Sequence, residues 1–207
     1  MDLMKKLMKN KQFVFFSILA LIVVLIAIFA PWIAVKNPYD AIMTDSLIPP
    51  GEKYMWGTDR LGRDIFSRIV YGTRPSLIMT FTLVSVVFLT GTGFGILAGY
   101  FGGSIDIVIM RFADMMISFP GLVLAIAVAG LLGPSMTNAV LAIALVSWPK
   151  YARLARSLVL KIKNNTYIEA AIVGGARTRK IIGRYLIPNM IPTMIVTATT
   201  DIGTMML

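Results

Sequence analysis

The feature that most limits what this chain can fold into is the uncharged run from Phe13 through Val35. At about 1.5 Å per residue, a helix of that length crosses a hydrocarbon core of about 30 Å. Lys5, Lys6, Lys9 and Lys11 stand before it. The run is longer than the 7–15 residues of a typical signal-peptide core, and no small-x-small cleavage site follows it cleanly. A retained first span over 13–35 is expected, with the basic segment 1–12 on the cytoplasmic side. The rest of the chain agrees with a bilayer environment: 57% of its 207 residues are apolar and 14% are charged, against about 45–50% and 25% in soluble domains. One membrane bundle is expected, not a globular domain with a linker.

The chain has 20 Lys and Arg against 10 Asp and Glu, a balance that in a soluble protein would suggest nucleic acid. Here the charges gather at the ends of apolar runs, as the cost of placing Lys or Arg at the bilayer centre demands, and no nucleic-acid partner is expected. Without Cys or His, the chain offers no thiol nucleophile, imidazole base or soft metal site. No catalytic, cofactor-binding or metal-binding residue is expected.

Residues 36–75 are polar and turn-rich, with six basic and five acidic residues, and read as an external loop. Apolar stretches return over about Leu77–Tyr100, Ile105–Leu132 and Ala139–Trp148, the second to fourth spans. A fifth begins after Pro188 and reaches Leu207, interrupted by Asp201. Residues 76–207 thus form the transmembrane part, with a loop over 150–187 inside it. Gly91, Gly95 and Gly99, four apart, place three positions without side chains on one helix face, where another helix can pack closely. Between Lys150 and Arg184 lie nine basic residues and a single acid, Glu169, which puts this loop in the cytoplasm by the positive-inside rule. A chain that starts inside and crosses four times also ends inside, so span count and charge count agree.

Two motifs stand in these loops. In the cytoplasmic loop, Thr166-x-x-Glu169 reads as a capping box and Gly174-Gly175 as a helix stop, giving a helix of about two turns over Tyr167–Val173. A helix so short needs docking or packing to persist. Beyond it, Arg177, Lys180 and Arg184 share one face at spacings of three and four. In the external loop, GTDRLGRDIFSRIVYGTRPSL from Gly57 to Leu77 reads on its own as an amphipathic surface helix, with Asp59–Arg63 and Asp64–Arg68 as i,i+4 pairs. Arg111 and Asp114, followed by Ser118-Phe-Pro120, read as an opposite-charge pair anchoring a helix end.

The stretch EAAIVGGARTRKIIGRYLIPN from Glu169 to Asn189 resembles the cytoplasmic loop of ATP-binding-cassette importer permeases. Glu169, Ala170, Ala171, Gly175 and Pro188 match its pattern, while Tyr185 and Ile187 stand where it has Ile and Leu. The external stretch is similar to the signature of the oligopeptide, dipeptide and nickel permeases at Gly57, Thr58, Asp59, Gly62, Arg63, Asp64, Ser67, Arg68, Gly72 and Arg74. The resemblance implies an all-α, polytopic helical membrane protein of the bacterial inner membrane. It would be a type I importer permease-like bundle with about five spans present and a sixth missing. It also implies a second homologous permease, two ATPase subunits that use ATP, and an extracytoplasmic solute-binding protein. The helix at Glu169 would then be the element that couples to an ATPase, and peptides, nickel or metal chelates the solutes carried. The chain has no G-x-x-x-x-G-K-[ST] loop of its own. Two other readings stand beside this one: a secondary transporter or channel, and a truncated, inactive permease fragment.

Overall fold

The computed structural model describes residues 9–206, so Lys5, Lys6 and Leu207 lie outside the described residues. The chain divides into two compact units, one reaching to Ile78 and one starting at Met79.

In the first unit, α1 covers Lys11–Ile33. The Asn10 side chain accepts from the backbone N–H groups of Gln12 and Phe13 at 3.0 and 3.3 Å, satisfying two donors that a helix start leaves free. Most of α1 is exposed and apolar, as a lipid-facing helix is. An irregular segment follows, with one 3₁₀ turn at Met43–Asp45, before α2, Ile65–Phe101. The amphipathic helix expected from Gly57 therefore starts only at Ile65. Asp59 and Arg63 do pair at 2.8 Å, but across a tight turn closed by the Thr58–Asp64 bridge. Arg68 lies 3.7 Å from Asp59 and not against Asp64. Asp64 accepts from the Ser67 N–H at 2.9 Å, so it caps α2 where a helical pair with Arg68 was expected.

The second unit holds the rest of α2, then α3 (Gly103–Ser118), α4 (Gly121–Leu132) and α5 (Met136–Lys163). After these come α6 (Thr166–Val173), α7 (Thr178–Ile181), a π-helical turn over Ile182–Leu186, and α8 (Ile187–Met206). Among the described residues three stretches are long and apolar enough to cross a membrane, Lys11–Ile33, Ile65–Phe101 and Thr178–Met206, and α3 with α4 would make a fourth. The third expected span is thus not one rod: α3 and α4 meet at 94°, at Pro120, which cannot continue the hydrogen-bond ladder of α3. The expected fourth span is only the first half of α5, which runs on through buried Pro149 into the basic segment.

The glycine face packs as its spacing indicates. A Cβ on Gly91 would lie 2.5 Å from Tyr151 Cβ, on Gly95 2.5 Å from Ala155 Cβ, and on Gly99 2.9 Å from Val159 Cβ. Only glycine lets α2 and α5 approach this far. Around that seam Leu83, Val87, Ile96, Val159, Met190 and Met194 join a core that includes the fully buried Tyr151. Phe94 and Trp148 stack edge-on across it at 5.1 Å.

Candidate functional site

The loop between α5 and α8 is built from its backbone outward. α5 ends at Lys163 with Asn164 as its cap, and the Asn165 side chain donates to the Ile162 carbonyl at 3.0 Å, so its amide serves the end of α5. Its backbone carbonyl accepts from the Ile168 N–H at 2.9 Å. The expected capping box is therefore not formed: the cap position of α6 is Asn165, and no side chain caps that end. α6 itself matches the expected two turns.

Its other end is fixed by the backbone. The Gly175 N–H donates to the Ile172 carbonyl at 2.9 Å and the Ala176 N–H to Ala171 at 3.0 Å, with Gly175 at φ 73°. This is the double closure of a left-handed helix stop, where a residue with a Cβ would cost about 1–2 kcal/mol. Gly174 has an ordinary φ of −72° and carries no such demand. Ile168 is fully buried and pins α6 to the core, while Tyr167, Glu169, Ala170, Ile172 and Val173 are exposed. Among the described residues no side chain pairs with the Glu169 carboxylate. Ala171 is half-buried, and Pro188 is exposed at the start of α8, past the π-helical turn. The fold thus gathers Glu169, Ala170 and Ala171 on one short helix, with Gly175 in the stop just beyond it, and leaves Pro188 on another element.

A set of ion pairs escaped the sequence reading, which counted Lys150, Arg153 and Arg156 only as loop charge. Arg156 makes two hydrogen bonds to Asp106 at 2.5 and 2.6 Å, Arg153 meets Asp114 at 2.5 Å, and Lys150 meets Asp201 at 2.5 Å. The expected Arg111–Asp114 pair does not form, because Asp114 turns to α5. Asp201, which no lipid-facing helix would tolerate, is only 2% exposed and ties α8 to α5. The available signal was the three-residue spacing of these cations, matched by three acids standing within or beside apolar runs.

The external signature residues belong to the first unit, and most of them hold its shape. Thr58 Oγ1 accepts from the Ile48 N–H at 2.8 Å and donates to the Asp45 carbonyl. Gly57 and Gly62 have φ of 75° and 74°, and a Cβ on either would collide with the carbonyls of Ile48 and Ile42 respectively. Asp59 accepts from the N–H groups of Leu61 and Arg63, Ser67 Oγ accepts from the Lys36 N–H at 3.0 Å, and Ser67 and Asp64 are buried.

At the centre of this loop Asp45 accepts from Lys53 Nζ at 2.7 Å and from the Tyr54 hydroxyl at 2.6 Å. The Lys53 hydrogen bond first, and the Tyr54 one second, hold the Asp45 carboxyl below its usual range. The bond to Asp45 holds Lys53 and Tyr54 above theirs. Asp59 is lowered chiefly by the Arg63 N–H. A lowered carboxyl stabilises the fold above its unfolded pKa of about 4, and that contribution is lost as pH falls through the folded value. The raised Lys53 and Tyr54 contribute fully below about pH 10 and lose their contribution as pH rises through their folded values. The loop is therefore expected to keep its structure between about pH 5 and 9 and to loosen at both extremes. Trp56, packed edge-on to Phe66 at 5.2 Å, reports this by its fluorescence once Trp32 and Trp148 are replaced by Phe. Asp45→Asn should shrink the acid transition without removing it, since Asp59 remains.

Comparison with known proteins decides the family. Residues 91–207 match the model of the binding-protein-dependent transport system inner membrane component, and residues 1–50 match the N-terminal membrane domain of oligopeptide transport permease C. The chain belongs to this inner membrane transport family. Among the permeases it is similar to is the dipeptide transport system permease of Alkalihalophilus pseudofirmus, 41% identical over 98% of this chain and 67% of that one. The dipeptide permease of Haemophilus influenzae is 41% identical over 90% and 65%, and the nickel permease of Escherichia coli 38% over 91% and 70%. The chain spans about two thirds of the length of these permeases.

Proposed function

We propose that the chain is one membrane-spanning subunit of an ATP-driven importer, and that α6 is the element through which an ATPase acts on it. The observation that carries this is the division of α6. Ile168 anchors it in the core, while Glu169 stands unpaired on an exposed face with Tyr167, Ala170 and Ile172. A free carboxylate flanked by small and apolar side chains suits a cleft that offers a cation. In this reading the N-terminus and the loop 150–187 are cytoplasmic, a second permease completes the path, and two ATPases hydrolyse ATP. An extracytoplasmic binding protein delivers a peptide or a nickel or metal-chelate solute. The similarity to dipeptide and nickel permeases supports that class of cargo. A secondary transporter loses its main support, because Asp201, the acid deepest in an apolar run, is already paired with Lys150.

The test is co-purification from membranes with the cognate ATPase and second permease, together with ATP-dependent uptake. Glu169→Lys, which reverses the charge, should lower uptake at least tenfold and weaken ATPase retention at normal membrane levels, with Glu169→Ala intermediate. If both variants assemble and transport like wild type, α6 does not couple through this residue.

A further inference from the structure

We propose that Arg177, Lys180 and Arg184 form a binding face for anionic phospholipid headgroups, at the point where the chain leaves the α6 loop and re-enters the membrane through α8. Of the nine cations between Lys150 and Arg184, Lys150, Arg153 and Arg156 are neutralised by Asp201, Asp114 and Asp106. Lys163 donates to the Tyr100 carbonyl at 2.7 Å. The other five, Lys161, Arg177, Arg179, Lys180 and Arg184, are exposed, and among the described residues no acid pairs with any of them; Arg177, Lys180 and Arg184 are the three at spacings of three and four.

Their backbone is held in place: Ile181 is 2% exposed and Leu186 is fully buried. Three residues past Arg184, α8 begins to show apolar side chains outward, with Ile187, Ile191, Ile195 and Val196 all exposed in a stretch able to span the bilayer. Those side chains set the hydrocarbon level. Arg184 lies about one turn from Ile187 along a helical path, about 5 Å, which is headgroup depth. Lys180, four residues earlier on α7, and Arg177, the extended cap before α7, precede it, and long cationic side chains reach outward from such exposed positions. A guanidinium matches a phosphate oxygen pair in two parallel hydrogen bonds, and basic clusters flanking a span draw anionic lipid. The cations run on into the exposed apolar side of α8, and a charge cluster continuous with an apolar surface matches the headgroup-and-chain makeup of a lipid better than an acidic protein surface. This inference does not rest on α6 gripping an ATPase.

The test is lipid retention. Wild type and the triple variant Arg177→Gln/Lys180→Gln/Arg184→Gln are purified from micelles holding equal phosphatidylglycerol and phosphatidylcholine, and retained lipids are counted by native mass spectrometry. Each cation should contribute about fivefold to the preference for phosphatidylglycerol. Wild type should therefore prefer it at least tenfold, and the triple variant about equally with phosphatidylcholine. Half-molar salt should reduce the wild-type preference, which needs no substitution at all. Arg179→Gln, outside the shared spacing, should leave it intact, and Arg184→Lys should keep most of it. Equal retention of both lipids by wild type overturns the proposal. So does a preference that survives in the triple variant, or one that Arg179→Gln abolishes as fully. Loss of ATPase co-purification in the triple variant, with no lipid preference in wild type, would assign the face to a protein partner and overturn it as well.

Discussion

Lys150→Met is expected to destabilise the second unit by about 3–5 kcal/mol, the cost of leaving a buried charge without its partner. The asymmetry of the Lys150–Asp201 pair makes the prediction specific. The Asp201 side chain is 3% exposed and the Lys150 side chain 60%. Removing the lysine strands a carboxylate in the core, beside the buried Tyr151, without its countercharge. Asp201→Asn should cost clearly less, because the ammonium it releases can turn outward. The double variant Lys150→Met/Asp201→Leu should recover most of the loss, since replacing a buried pair with apolar side chains of similar volume is often neutral or stabilising. Thermal unfolding in detergent, followed by fluorescence of the chain, measures all three. Equal melting of the two single variants would mean that burial does not set the cost.

Gly95→Leu should break the seam between α2 and α5, with a loss of at least the 1–3 kcal/mol typical of overpacking. A Cβ at this position meets the Ala155 Cβ at 2.5 Å, the Arg156 backbone N at 3.0 Å and the Ala152 carbonyl. Two of these are backbone atoms, so Ala155→Gly should not rescue even Gly95→Ala. Gly99 behaves differently, because the nearest obstacles there are Val159 side-chain atoms at 2.9 and 3.0 Å. Val159→Ala removes the Cγ1 contact but keeps the Cβ, and the Arg156 carbonyl stays at 3.1 Å, so combined with Gly99→Ala it should recover only part of the loss. Gly93, on the same helix, has nothing within 4 Å of a built Cβ, and Gly93→Ala should gain about 0.5–1 kcal/mol from reduced backbone freedom. Equal melting of the Gly93 and Gly95 alanine variants would contradict the assigned seam.

The parts of this fold that were legible in the sequence depend on spacing within one helix. Three glycines at intervals of four name a face before any partner is known, and Gly174-Gly175 closes α6 within a residue of its observed end. What was not legible depends on competition between partners far apart in the chain. Asp114 could serve Arg111 three residues away or Arg153 on α5, and only packing chooses the second. Asn165 could cap α6 or close α5, and its amide does the latter. Asp59 and Arg63 stand four apart, as a helical pair does, yet the same interval closes a turn whose Asp oxygen accepts from two backbone N–H groups. The glycine at 62 was the warning, since its left-handed conformation cannot lie inside a helix.

The construction of α6 has an evolutionary corollary. Its position rests on Ile168, the Ala171 carbonyl and the left-handed Gly175, and none of these involves the outward side chains. Glu169, Ala170, Ile172 and Val173 can therefore be exchanged at little cost to folding, whereas Tyr167 also packs on the Tyr185 ring at 6.3 Å, so a duplicated gene could acquire a new partner by drift on the outward face of this helix while the bundle beneath it stays unchanged.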